Sequence, residues 1–163
     1  MKTLVLVRHA SAEQYSHNGL DISRSLTDRG KREALFIASV LKEKKIHPDI
    51  IITSTAMRAK ETAMAFINTF AIDTNQYTEK EALYLASDNV ISQIISLLQP
   101  QINSAIIICH NPGITDFVNG LFNNISIDNM PPCAVFAIQS KIKSWQDFSF
   151  SEKQFSFFEY PKL

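Results

Sequence analysis

The stretch Thr3–Val7, TLVLV, is a short, unbroken apolar run that ends directly in Arg8 and His9. A run without polar alternation is typical of a strand that is buried on both faces of a sheet. Two further runs have the same character, DIIIT at 49–53 and SAIIIC at 104–109. Amphipathic helical patterns separate these strands. The sequence therefore predicts an α/β fold, a three-layer sandwich whose central, mainly parallel (mixed) sheet is flanked by helices.

The segments between and after these strands predict four helices and three shorter strands. The helices are expected at Asp28–Lys44 after a Thr27 cap, from Thr55 to Phe70, from Ser87 or Asp88 to about Leu98, and from Asn111-Pro112 to about Asn123. The shorter strands are expected at Tyr77–Lys80, Ala134–Ile138 and Phe155–Tyr160, the last two as an antiparallel pair or an edge addition.

Length and composition limit the class of protein. The 163 residues, 45% of them hydrophobic, suit one domain over 1–163 with a core of its own. Sixteen basic and sixteen acidic residues cancel, and no basic block is present, so nucleic acid and membrane are not the expected partners. The apolar start is too short for a secretory signal, and Cys109 and Cys133 lack metal-site spacing. We expect a cytoplasmic protein with two reduced, buried thiols.

Polar and cationic side chains follow each of the three apolar strands. Arg8 and His9 come after the first, Arg58 after the second, and His110 and Asn111 after the third. Because ligand sites of parallel α/β sheets lie at the carboxyl ends of the strands, these residues are expected to converge at one edge. A site assembled from three separate parts of the chain is more specific than any short motif.

These residue types suit a phosphoryl group. Two guanidinium groups can share its oxygens through charge-assisted hydrogen bonds, and two helix N-termini, with Ser54 and Asn111 as expected caps, would add N–H donors. A neutral histidine in such a cage can attack phosphorus and form a covalent phosphohistidine, which water then hydrolyses. An alkoxide leaving group would also need a proton donor.

The motifs that carry this chemistry resemble those of the histidine phosphatase superfamily. They are LVRHASA (6–12), TSTAMRAKETA (53–63) and ICHNPG (108–113). The segments DISRSLTDRG (21–30), EALYLAS (81–87) and FEYPKL (158–163) are similar to its short, SixA-type phosphohistidine phosphatase branch. The resemblance implies a phosphoglycerate-mutase-like fold and no metal or cofactor. It also implies His9 as the nucleophile and Arg8, Arg58 and His110, beside Asn111, as the phosphate pocket.

The proton donor is the position that the resemblance leaves open. Larger relatives supply a glutamate from the middle of the chain, and Glu81 is the nearest candidate here. An aspartate in the first loop, matched by Asp21, is the alternative that we favour. A phosphohistidine substrate has a good leaving group, so it would not require a strong acid.

The expected function is a metal-independent phosphohydrolase, and the expected substrate is a phosphorylated protein such as a histidine-phosphorylated signalling domain. Between Arg58 and His110 the chain has room for one helix and two short connections but not for a cap domain. An open site suits a macromolecular substrate and would also admit a small phosphoester. Two alternatives remain, a small-molecule phosphomonoesterase or mutase, and a phosphohistidine-binding module without turnover.

Overall fold

The computed structural model describes residues 1–163 and contains six strands and four α-helices. The strands are β1 (Lys2–Arg8), β2 (Ile50–Ser54), β3 (Tyr77–Lys80), β4 (Ser104–Cys109), β5 (Val135–Ser140) and β6 (Gln154–Glu159). The helices are α1 (Asp28–Glu43), α2 (Met57–Phe70), α3 (Asp88–Ser96) and α4 (Gly113–Asn119). Short 3-10 turns occupy Asp21–Ser23, Thr74–Gln76, Glu81–Leu83 and Trp145–Phe150. None of the helices combines the length and the apolar character needed to cross a lipid bilayer.

All six strands form one mixed sheet in the order β3-β2-β4-β1-β5-β6. The pairs within β3-β2-β4-β1 are parallel, whereas β5 pairs antiparallel with both β1 and β6. The predicted antiparallel pair in the tail is therefore confirmed. Arg8 lies opposite Cys109 in the parallel register of β1 and β4. Because of this register, His9 and His110 leave the sheet side by side.

Helices cover both faces of the sheet, which confirms the predicted three layers. Successive residues of β1 point to opposite faces, so Val5 packs beneath α1 and α2 with Ile37 and Phe66. Leu4 packs on the other face with Ile91 of α3 and with Trp145. Both cores are continuous and fully buried, so β1 and its carboxyl end are held rigidly in the centre of the molecule.

Two helix boundaries differ from the prediction, and each difference has a local cause. Helix α2 begins at Met57 without a side-chain cap, since the Ser54 hydroxyl accepts the N–H of Ala56 and so forms a turn before the helix. Helix α4 ends at Asn119, where the side-chain amide bonds both backbone groups of Ile127 and the chain turns away. The predicted Thr27 cap of α1 is confirmed by its bond from the Gly30 N–H at 3.0 Å.

The two cysteines are free and buried, as predicted. Cys109 belongs to the core beneath α3 and α4, and Cys133 to the core beneath α1 and α2. Burial raises the pKa of the Cys109 thiol to about 12, and it also raises the pKa of the Cys133 thiol. Neither thiol is therefore a nucleophile at neutral pH.

Candidate active site

His9 lies directly after β1, and its ring is held in one tautomer. Its Nδ1 is 2.8 Å from the carbonyl oxygen of Ala10, which can only accept a hydrogen bond, so Nδ1 carries the proton. The other nitrogen, Nε2, keeps its lone pair and accepts a hydrogen bond from Nε of Arg58 at 3.3 Å. Nε2 is therefore the atom of His9 that is available to attack an electrophile.

Two arginines flank His9 from different elements. Arg8, the last residue of β1, donates from Nη1 to the carbonyl oxygen of Met130 at 2.7 Å, while its Nε is buried and has no partner. Arg58, in the first turn of α2, is 2% exposed. Its Nη1 and Nη2 donate to the backbone oxygen and to Oδ2 of Asp21, at 2.9 and 3.1 Å.

His110 follows β4, and its ring centroid is 5.1 Å from that of His9. Its Nε2 is 2.7 Å from the hydroxyl oxygen of Ser54, whereas its Nδ1 is buried and has no partner. Buried polar atoms without partners are rare in folded proteins. Two of them here, Nδ1 of His110 and Nε of Arg8, belong to residues that line one cavity with His9, which is the pattern expected of a site for an anion.

Both imidazoles are neutral near pH 7. Burial, more than the neighbouring arginines, lowers the pKa of His9 to about 4. Burial also lowers the pKa of His110 to about 3, with smaller effects from His9 and Arg58. Burial, and then repulsion from Arg58, lowers the pKa of Arg8 as well. The empty site thus resists further positive charge, and a bound anion would relieve this repulsion.

The cavity measures about 420 Å³ and opens to solvent. All four residues predicted as the phosphate pocket line it, Arg8, His9, Arg58 and His110. A third arginine, Arg24, also lines it, whereas Asp21 is its single carboxylate. No cluster of three or more His, Cys, Asp or Glu side chains in the protein is arranged to hold a metal ion.

Of the two candidate proton donors, the structure brings only Asp21 to the cavity. Its carboxylate accepts hydrogen bonds from the hydroxyl of Tyr84 at 2.5 Å and from Nε of Arg24 at 2.9 Å, in addition to that from Arg58. The bond from Tyr84, followed by the two arginines, lowers the pKa of Asp21 to about 2. Asp21 is therefore ionised near pH 7 and has no proton to give.

Glu81 does not reach the cavity. It is exposed, begins the short turn Glu81–Leu83, and is absent from the cavity lining. The same turn instead leads into Tyr84, whose ring lies edge-on to His110 with centroids 5.7 Å apart. The turn therefore contributes to the site a tyrosine that the sequence did not indicate.

Asn111 lines the cavity, but its side chain is used within the protein. Its Nδ2 donates to Oδ1 of Asn129 at 2.6 Å and to the carbonyl oxygen of Met130 at 3.1 Å, and its Oδ1 accepts from the hydroxyl of Thr115 at 2.6 Å. Pro112, and not Asn111, is the N-cap residue of α4. The expected contribution of Asn111 as a helix cap is therefore wrong. The side chain instead fixes the segment that accepts the hydrogen bond from Arg8.

Glu33 of α1 holds the loop after His9, and no sequence motif indicated this role. The buried carboxylate of Glu33 accepts hydrogen bonds from the backbone N–H and from the hydroxyl of Ser11, both at 2.9 Å. Gly30 packs so closely that a Cβ atom there would lie 2.0 Å from the backbone oxygen of Ser11. Glu33 stands on the apolar face of α1 beside Ala34 and Ile37, and a charge at such a position is the signal that could have revealed it.

Comparison with known proteins agrees with this geometry. Residues 4–83 match the model of the histidine phosphatase superfamily (branch 1). Phosphoglycerate mutase 1 of Saccharomyces cerevisiae is 40% identical over 65 residues, which are 39% of this chain and 26% of the mutase. The matched segment thus spans about a quarter of the length of that relative.

The fold agrees over the whole chain with two solved structures. The SixA protein of Agrobacterium tumefaciens is 23% identical with a TM-score of 0.80, and 98% of each chain is covered. The protein histidine phosphatase SixA in complex with tungstate is 18% identical with a TM-score of 0.81, and 97% of this chain and 96% of the other are covered. The matched residues 4–83 include the Arg-His pair that ends β1 and the arginine of α2, so this part of the chain is similar to the histidine phosphatase superfamily, and the solved structures share its fold.

Proposed function

We propose that this protein is a metal-independent phosphohydrolase that transfers a phosphoryl group first to Nε2 of His9 and then to water. One observation carries the proposal. Nε of Arg8 and Nδ1 of His110 are buried without partners, and both residues line the cavity in which Nε2 of His9 is unprotonated and accepts a hydrogen bond from Nε of Arg58. A tetrahedral oxyanion in this cavity would lie among the side chains of Arg8, Arg58 and His110 while its central atom faces His9.

The first half of the reaction breaks the bond between phosphorus and the leaving group and forms one between phosphorus and Nε2 of His9. The Nδ1 proton stays on the ring, hydrogen-bonded to Ala10, so the phosphorylated imidazole carries a positive charge beside the phosphoryl oxygens. In the second half, water attacks phosphorus, Nε2 leaves with its electron pair, and the proton of the water passes to solvent. Arg8 and Arg58 offset the charge on the phosphoryl oxygens in both halves.

The site favours substrates with a good leaving group, because neither of the two candidate carboxyl groups is suited to donate a proton. Asp21 is ionised, and Glu81 lies outside the cavity. An alkoxide leaves slowly without an acid, whereas the imidazole of phosphohistidine leaves as a neutral ring once solvent has protonated its other nitrogen. This difference favours a phosphorylated protein, and within that class a phosphohistidine, as the substrate.

The mouth of the cavity supports a macromolecular substrate. Leu85 lines the mouth and is 55% exposed. An exposed apolar side chain beside an open anion site suits contact with a protein surface better than enclosure of a polar metabolite.

The similarity to phosphoglycerate mutase 1 supports a second candidate function, that of a phosphomonoesterase or mutase acting on a small metabolite. That reaction transfers phosphate between alkoxides and would need a proton donor. Asp21 is ionised and Glu81 lies outside the cavity, so neither supplies one in this structure. A non-catalytic phosphohistidine-binding module would need the same pocket without turnover.

The test compares three substrates: a chromogenic aryl phosphate, a histidine-phosphorylated protein and 3-phosphoglycerate. We expect His9→Ala to abolish turnover, the exposed His17→Ala control to retain it, and EDTA to have no effect. The phosphohistidine protein should be the best substrate. Equal turnover by His9→Ala or loss with EDTA would contradict the mechanism. Preference for the glycerate would favour the second candidate, and tight tungstate binding without turnover would identify a binding module.

A further inference from the structure

We infer that Asp21 serves this site as a positioning residue for the guanidinium group of Arg58 and not as a proton donor, and that Tyr84 holds the Asp21 carboxylate in place for that role. The inference rests on the proposed phosphoryl transfer for its kinetic test. Its spectroscopic test does not require turnover.

The contacts of Arg58 show what Asp21 does. Each nitrogen of the guanidinium donates to a defined acceptor: Nε to Nε2 of His9, Nη1 to the backbone oxygen of Asp21, and Nη2 to Oδ2 of Asp21. Two of the three acceptors thus belong to one residue. A planar guanidinium held at two nitrogens has a fixed plane, and here that plane places Nε against the nucleophilic atom of His9.

The carboxylate of Asp21 is arranged as an acceptor on both oxygens. Oδ2 receives the Tyr84 hydroxyl at 2.5 Å and Nη2 of Arg58 at 3.1 Å, while Oδ1 receives Nε of Arg24 at 2.9 Å. A proton on Oδ2, which accepts two hydrogen bonds, would displace one of its donors. A group surrounded in this way by three donors is suited to remain charged and to orient its neighbours.

Tyr84 is the link between Asp21 and the rest of the cavity. Its hydroxyl donates to Asp21, and its ring lies edge-on to His110 at a centroid distance of 5.7 Å. The tyrosine thus fixes the carboxylate that fixes Arg58 while it contacts the second histidine. Tyr84→Phe removes the hydrogen bond and keeps the ring, so this substitution isolates the role of the hydroxyl.

The kinetic test measures kcat/KM for a series of aryl phosphates with leaving groups of increasing pKa. If Asp21 positions Arg58, Asp21→Asn lowers kcat/KM by the same factor, about 10- to 100-fold, across the whole series. If Asp21 is the acid, the loss grows with leaving-group pKa and is small for the best leaving group. The exposed Asp28→Asn variant is the control for loss of one negative charge and should match the unmodified protein.

A double-mutant cycle tests the link through Tyr84. Tyr84→Phe should lower kcat/KM by a smaller, leaving-group-independent factor, and it should add little in the Asp21→Asn background because its partner is already changed. Full additivity of the two substitutions would overturn the link. Accumulation of phosphorylated protein in Asp21→Asn at unchanged kcat/KM would overturn the inference in favour of a role in activating water.

The spectroscopic test follows the Nε–H signal of Arg58 in ¹⁵N-labelled protein, assigned by its loss in Arg58→Lys. We expect Asp21→Asn to shift this signal and to increase its exchange with solvent, with or without tungstate, while the thermal midpoint changes little. An unchanged signal would show that Asp21 does not hold Arg58. Because this measurement needs no substrate, it decides the inference even if the unmodified protein shows no turnover, a result that would refute the proposed function alone.

Discussion

Replacement of His9 by asparagine should remove a large part of the acid sensitivity of this fold. In the folded protein, burial lowers the pKa of His9 to about 4, compared with an ordinary value of 6.5. The unfolded chain therefore binds this proton at a higher pH than the folded chain does. As the pH falls from about 6.5 to about 4, only the unfolded state takes up the proton, and the free energy of unfolding falls with it.

The magnitude follows from the size of this interval. The separation between 6.5 and about 4 corresponds to about 3 kcal/mol at 1.36 kcal/mol per pKa unit. His9 is 9% exposed, so little of this effect should be screened by solvent. A loss of about 3 kcal/mol is a large part of the total stability of a small domain, so it should be visible in equilibrium unfolding. Asparagine has no titrating group in this range and can still donate to the Ala10 carbonyl.

The assay is urea denaturation between about pH 7.5 and pH 4, in buffers without phosphate or sulfate. The free energy of unfolding of the unmodified protein should fall about 3 kcal/mol further over this range than that of His9→Asn. The exposed His17→Asn serves as the control and should follow the unmodified protein. If the His9→Asn curve runs parallel to that of the unmodified protein, the burial and charge assigned to this ring are wrong.

Three further predictions concern the support of the site and the fold. Gly30→Ala should push the Ser11 backbone, and we expect it to lower the free energy of unfolding by about 1–3 kcal/mol and also to lower kcat. Gly120→Ala is the control: its added Cβ would have neighbours at 3.4 Å or more, so neither quantity should change. Thermal melts measure the stability, and aryl phosphate turnover measures kcat. Lys2→Met should lower the free energy of unfolding by about 2 kcal/mol, measured in urea, because the buried ammonium donates to the carbonyl oxygens of Pro100 and Ile102 and to Asn103. Tungstate binding should be accompanied by proton uptake, since a bound anion raises the lowered pKa of His110. Calorimetry in buffers of different ionisation enthalpy should show this uptake, and His110→Asn should reduce it.

Each of these predictions has a contradicting result. Equal effects of Gly30→Ala and Gly120→Ala would show that the close approach to Ser11 is unimportant. A neutral Lys2→Met would mean that the three acceptors are satisfied by solvent. Binding enthalpies of tungstate that do not depend on the buffer would mean that His110 stays neutral in the complex.

The parts of the fold that were predictable are those that depend on short-range patterns. Thr3–Val7 and the runs at 49–53 and 104–109 are too apolar to lie anywhere except the centre of a sheet, and three such strands separated by helices leave few arrangements. The parallel order then brings His9 and His110 to one edge. The helix starts near Ser54 and Asn111 were less predictable, because both side chains make tertiary contacts instead of capping a helix.

The missed parts of the site depend on contacts between segments far apart in the chain. Tyr84 reaches Asp21 across 63 positions, and no local pattern links a tyrosine after a turn to an aspartate in a loop. The roles of Asp21 and Glu81 could not be separated from sequence for the same reason. Both are acidic residues in polar surroundings, and only the tertiary fold places one in the cavity and leaves the other in solvent.

The most direct test of the account is to locate the phosphoryl group on the protein during turnover. After incubation with an aryl phosphate and an alkaline quench, trypsin should release the peptide 9–24, which contains His9 and His17. We predict that fragmentation places the phosphoryl group on His9, that His17→Ala retains it and that His9→Ala lacks it. A phosphoryl group on any other residue, or hydrolysis by the His9→Ala variant at the unmodified rate, would contradict the account.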